Sequence, residues 1–109
     1  MNPSRTGRPL TRTGVSSTGS VNGRAPIRIL LVDDHDIVRL GLMTLLNDQP
    51  DMEVVGEAST AGEGVHMAEK LSPGVVLMDI RLPGEGGIEA CHQITSHFPA
   101  CKVVMLPPL

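Results

Sequence analysis

The chain has little cysteine, no long apolar run and, over its first 26 residues, no acid. Two cysteines, Cys91 and Cys101, do not make the disulfide framework of a small secreted domain, so a reduced, cytoplasmic setting is expected. The longest apolar runs are only a handful of residues, too short for a membrane-spanning helix. The acid-free stretch 1–26 carries Arg5, Arg8, Arg12 and Arg24 among Gly, Ser, Thr, Pro and Asn, without apolar periodicity. Such a segment buries too little surface to offset its ordering entropy, which predicts a disordered basic tail. It lacks the apolar core of a secretory signal, and its Gly and Pro oppose the amphipathic helix of a transit peptide. Four dispersed arginines form no cluster, which favours a solvated extension over a nucleic-acid arm. There is no internal repeat, and "GEGG" at 84–87 is too short and too late for a dinucleotide or phosphate-loop fingerprint.

What is present lies in 27–109. This part holds all 12 acids against five of the nine Lys and Arg, a charge of −7 with His neutral. An acidic body argues against direct nucleic-acid binding. "IRILLV" (27–32) and "GVVLMD" (74–79) are continuous aliphatic runs, the pattern of strands covered on both faces. "MEVVGEA" (52–58) and "KVVML" (102–106) are shorter strand candidates. Between them, 35–48, 59–72 and 87–98 have helical spacing. The first helix is expected to be capped by Asp34 or Asp36 and to turn Ile37, Val38, Gly41, Leu42, Leu45 and Leu46 to one side. The second begins at Ser59 and Thr60 and lines Val65, Ala68 and Leu71 along one face. The third is expected to bury Ile88, Cys91, Ile94 and Phe98. Strand and helix alternate three times before a last strand, which predicts an α/β domain with a parallel, doubly wound sheet.

In such sheets, functional groups gather beyond the carboxyl ends of the strands. "ILLVDDHD" (29–36) ends one strand in Asp33 and Asp34, and Asp79 ends another. If those strands are neighbours, the three acids converge. Two unpaired carboxylates about 4 Å apart repel by about 4 kcal/mol at an effective dielectric near 20, and a third adds to this. A hard cation relieves that repulsion, and a few oxygen ligands suit Mg²⁺. An aspartate beside such a cation can attack a phosphoryl group to give an aspartyl-phosphate. Taken singly, Asp33 and Asp34 are ordinary helix caps and Asp79 opens a turn; the pairing of both strand ends favours a site.

"ILLVDDHDIVRLGL" and "VVLMDIRLPGEGGIEA", with 45 residues from Asp34 to Asp79, resemble the receiver domain of two-component response regulators. The resemblance covers about 27–106 and leans toward the subfamily with a helix-turn-helix DNA-binding output. It implies a flavodoxin-like sheet of order 2-1-3-4. It implies Asp79 as phosphoacceptor, and Asp33, Asp34, Asp79 and the Arg81 backbone carbonyl as Mg²⁺ ligands. The partner it implies is a sensor histidine kinase, with DNA binding left to a full-length parent. Pro83 and the following glycines would shape the loop beside the site.

The end of the sequence departs from that pattern. Receivers close the fourth strand with Ser or Thr, where this chain has Pro107, and carry a fifth strand with a lysine plus two more helices. On this reading 27–109 is a receiver truncated after its fourth strand, impaired in switching, with apolar surface near Leu40 and Met43 open to self-association. Lys102 stands at the wrong end of its strand to replace the missing lysine. Two readings compete. Asp34-x-Asp36 resembles the nucleophile motif of aspartate-dependent phosphohydrolases, and a remnant that only binds a partner needs no chemistry at all. Cys91, His92, His97 and Cys101 lack the helical spacing of a metal site. His35 and His66 are expected to face solvent.

Overall fold

β1 (Ile27–Val32) reads IRILLV, and its last four residues are buried. Aliphatic side chains on both faces of a strand need cover on both sides, and they set the plan of the domain. The structure, a computed structural model, describes residues 25–83 and 86–107. Most of the stretch expected to be a basic tail lies outside the described residues, as do 84–85 and 108–109. β1 is followed by α1 (Asp36–Asn47), β2 (Met52–Ala58), α2 (Ala61–Leu71), β3 (Val75–Asp79), α3 (Gly87–His97) and β4 (Lys102–Leu106). The strands form one sheet in the order β2-β1-β3-β4, all parallel. This is the expected doubly wound, flavodoxin-like arrangement, and a fifth strand has no counterpart among the described residues. No described helix is long and apolar enough to cross a membrane.

The two faces of the sheet are covered unequally. On one face α2 and α3 pack Met67, Ala68, Ala90 and Ile94 against Leu30, Val32, Val76 and Met78. On the other, α1 lays Leu42, Met43 and Leu46 over Ile29, Leu31 and Val54. There Val75 and Leu77 are only partly buried, and Val104 is 47% exposed.

Helix ends follow local chemistry. Thr60 caps α2 by accepting from the Glu63 N–H at 3.1 Å, and the Glu63 carboxylate accepts from the Ser59 N–H, also at 3.1 Å. Ser72 closes α2 at a left-handed φ of 48°. Arg28 donates to the Leu71 and Ser72 carbonyls at 2.8 and 3.0 Å, satisfying acceptors that the helix leaves open.

Three expectations are corrected. The residue at the start of α1 is His35, with no side-chain cap bond, because the neighbouring aspartates are engaged elsewhere. On α1, Ile37 and Leu45 are exposed, since the helix rests on the β1–β2 half of the sheet and touches it along a narrower stripe. On α3, Ile88 is exposed, and the buried line is Gly87, Ala90 and Ile94. Small residues there let the helix sit close to the sheet.

Candidate functional site

The site is built where β1 and β3, paired from Ile29–Val75 to Val32–Met78, run out together. The chain continues to Asp33 after β1, and Asp79 is the last residue of β3. The Asp33 N–H still donates to the Ala58 carbonyl at 3.0 Å, so its backbone remains tied to β2. Ile80 donates to the Leu106 carbonyl at 3.1 Å, tying the chain after Asp79 to β4. Both acids are buried, while Asp34 is more open. The Asp79 carboxylate accepts the Arg81 N–H at 2.9 Å, which holds its rotamer.

His35 completes the group. Its Nδ1 lies 2.9 Å from Asp33 Oδ1, 3.2 Å from Asp34 Oδ1 and 3.8 Å from Asp79 Oδ2. Ligand atoms of Asp33, Asp34, His35 and Asp79 all fall within 4.8 Å of one another. The hydrogen bond to Asp33 and the charge of Asp34 raise the imidazole pKa above its usual 6.5, against an opposing effect of burial. The ring faces solvent, as expected, while its Nδ1 belongs to the cluster.

Behind the acids lies a residue that pattern reading missed. Arg39 sits on the packing stripe of α1 and is buried. Its Nε donates to Glu57 Oε1 at 2.9 Å, another nitrogen donates to the Asp33 carbonyl, and a third reaches Asp36 Oδ1 at 2.6 Å. Burial opposes its charge, but hydrogen bonds to Glu57 and Asp36 outweigh that, and its pKa is raised. One guanidinium therefore fastens the β1–α1 loop to β2. Asp36, 85% exposed and held by Arg39, is not part of the cluster, so the Asp34-x-Asp36 pair of the hydrolase motif is split.

The donor set suits a divalent cation: three carboxylates crowded at one rim, two of them buried, balanced nearby by a single imidazole. A groove of about 720 Å³ leads away from the cluster past Val38, Leu42, Leu106 and Pro107. Pro107 thus stands beside the acids, with no hydroxyl or amide hydrogen to offer. Lys102 begins β4, at the opposite end of the sheet.

Acids over the carboxyl ends of two adjacent central strands, at the point where strand order reverses, define a flavodoxin-like α/β domain with an acidic rim. The chain belongs to the response regulator receiver domain family, whose match runs over residues 29–107. It is 51% identical over 80 residues to the transcriptional regulatory protein LiaR of Bacillus subtilis (strain 168), covering 73% of this chain and 38% of LiaR. It is 46% identical over 78 residues to the response regulator GacA of Pseudomonas viridiflava, covering 72% of this chain and 36% of GacA. A solved LuxR-family two-component response regulator from Aurantimonas sp. SI85-9A1 superposes with a TM-score of 0.72 at 41% identity, over 76% of this chain and 59% of that one. The response regulator domain of Thermotoga maritima CheB gives a TM-score of 0.71 at 40% identity, over 75% and 60%. The chain spans well under half the length of the curated relatives it matches.

Proposed function

We propose that this chain is a phosphoacceptor: Asp79 takes a phosphoryl group from a phosphohistidine on a sensor histidine kinase, in a cytoplasmic phosphorelay. The supporting observation is the convergence of Asp33, Asp34 and Asp79 at one rim. Asp33, Asp34, Asp79 and the Arg81 backbone carbonyl would hold Mg²⁺. When bound, the ion neutralises charge on the phosphoryl oxygens. An oxygen of Asp79 attacks phosphorus, the P–N bond to the donor imidazole breaks, and that imidazole is protonated on leaving. The Arg81 N–H on Asp79 Oδ1 keeps the carboxylate in one orientation for the attack. Arg39 acts through the loop, holding the Asp33 backbone against β2.

Pro107 cannot donate to a phosphoryl oxygen, so the acyl phosphate forms with weaker support and drives little conformational switching. Turnover is limited to the chain's own phosphorylation and dephosphorylation. The hydrolase reading is disfavoured by the Arg39–Asp36 contact, which draws off its second acid. DNA binding, as proposed, belongs to full-length regulators and not to this segment.

The test is incubation with acetyl phosphate and Mg²⁺, followed by intact mass and peptide mapping. We expect one added phosphoryl group, lost with Asp79→Asn. Labelling that persists in Asp79→Asn, or none in folded wild type with Mg²⁺, sinks the reading.

A further inference from the structure

α1 reads DIVRLGLMTLLN, and neither of its charges lies on its outer side. Asp36 stands at its first position, and Arg39 is turned inward onto Glu57. A helix on the surface of a domain ordinarily presents charged residues to water. Here Ile37, Leu40, Gly41, Thr44 and Leu45 are exposed instead. A Cβ on Gly41 would meet nothing within 4 Å, and the Thr44 hydroxyl already donates to the Leu40 carbonyl at 2.9 Å. This side of the helix can approach another surface closely and be dehydrated without orphaning a donor.

Beside the ridge lies a recess. α1 rests on β1 and β2. Over the β3–β4 half of the same face, Val75, Leu77 and Leu106 are half-buried and Val104 is exposed. Among the described residues no second helix joins α1 there. A helix is about 10 Å across, so the recess is one helix deep. Ridge and recess stand side by side, which makes this face self-complementary.

We propose that two copies of this chain pair about a two-fold axis running along the strands, each laying the outer side of its α1 into the other's β3–β4 recess. The two α1 helices form one layer shared between two sheets. They run parallel and meet along Val38, Leu42 and Leu45, whose spacing of four and three residues is that of a helix-pair seam. Gly41 and Thr44 face Val104 of the partner subunit. Charge is matched at the margin: exposed Asp48, ending α1, comes opposite Lys102 of the partner subunit, which is exposed at the start of β4. Ile37, Leu40, Leu45 and Val104 present on the order of 400 Å² per copy. With the half-buried residues of the recess, the pair removes on the order of 1,000 Å² or more from water, the size at which specific interfaces begin.

The test is sedimentation velocity on the full chain over a concentration series, with circular dichroism on each variant. We expect the weight-average mass to level off at two chains. Val104→Lys and Thr44→Glu replace exposed residues, so the monomer keeps its fold, and each should weaken the dimer roughly tenfold or more. Both changes in one chain set Glu opposite Lys across the two-fold, and most of that loss should be recovered. Ile88→Glu, at a 68% exposed position of α3 on the opposite side of the sheet, should change nothing. A mass that climbs past two chains without a plateau, equal weakening by Ile88→Glu, or no recovery in the double variant overturns the inference. So does a wild type that stays monomeric, the recess then being filled from within the chain or left wet.

Discussion

Among single residues, Arg39 carries the largest structural burden. Its guanidinium is buried against Glu57 and donates to the Asp33 carbonyl. Removing one side of a buried ion pair leaves the other charge in a poorly solvating place. We expect Arg39→Met to cost about 3–5 kcal/mol in urea unfolding, with a smaller loss when Glu57 is also made apolar. His35 adds a pH dependence in metal-free protein. Its folded pKa is raised above 6.5, so the folded state holds the proton more tightly. The stability it contributes is complete below pH 6.5 and is lost as pH rises through the folded pKa. A histidine NMR titration should give His35 a midpoint above 6.5, lowered in Asp33→Asn. Asp33, Asp34 and Asp79 were legible in the sequence because each directly follows or ends an aliphatic run. Arg39 was not: its stripe reads as apolar, and its burial depends on Glu57, a residue of another strand. Nor did the text reveal that a ring beside two acids turns inward.

Elements were legible in existence and order, and less so in which side they bury. Runs of valine, isoleucine and leucine announce strands, and the alternation with helices leaves few topologies. On α3, Ile94 and Phe98 face the core as their spacing predicts, but Ile88 is exposed, because close approach to the sheet at the start of the helix is made by Gly87 and Ala90. Gly87 shows why. A Cβ there would stand 2.6 Å from the Asp79 carbonyl oxygen and 3.0 Å from the Met105 methyl. The first obstacle is backbone and cannot rotate aside. We expect Gly87→Ala to push α3 from the end of β3 and to cost about 1–3 kcal/mol in thermal or urea unfolding. The proposed phosphorylation of Asp79 should slow along with it, because the displaced atom belongs to that residue's own backbone.

For the whole molecule, the unequal cover of the two sheet faces matters most. The side beneath α2 and α3 is closed, while the side bearing α1 leaves Val75 and Leu77 half-buried. Val104, Leu40 and Ile37 stand in the open. Apolar surface of this kind is removed from water by association. We expect weak self-association, seen in sedimentation velocity as a weight-average mass that rises with concentration; Val104→Glu should reduce it. The sequence placed Leu40 and Met43 at this exposed side, and the structure agrees for Leu40, while Met43 packs onto the sheet.

Among the described residues, β4 is the most lightly held strand: it pairs with β3 on one side, and none of its residues is buried. Local opening begins where the fewest contacts must be broken, so β4 is the first strand to peel away. The bond from Ile80 to the Leu106 carbonyl goes with it, releasing the chain just beyond Asp79. The lifetime of the geometry around Asp79 is thus capped by the fraying of the sheet's frailest border, and a ligand bridging Asp33 to Asp79 would clamp only the inner side of that seam.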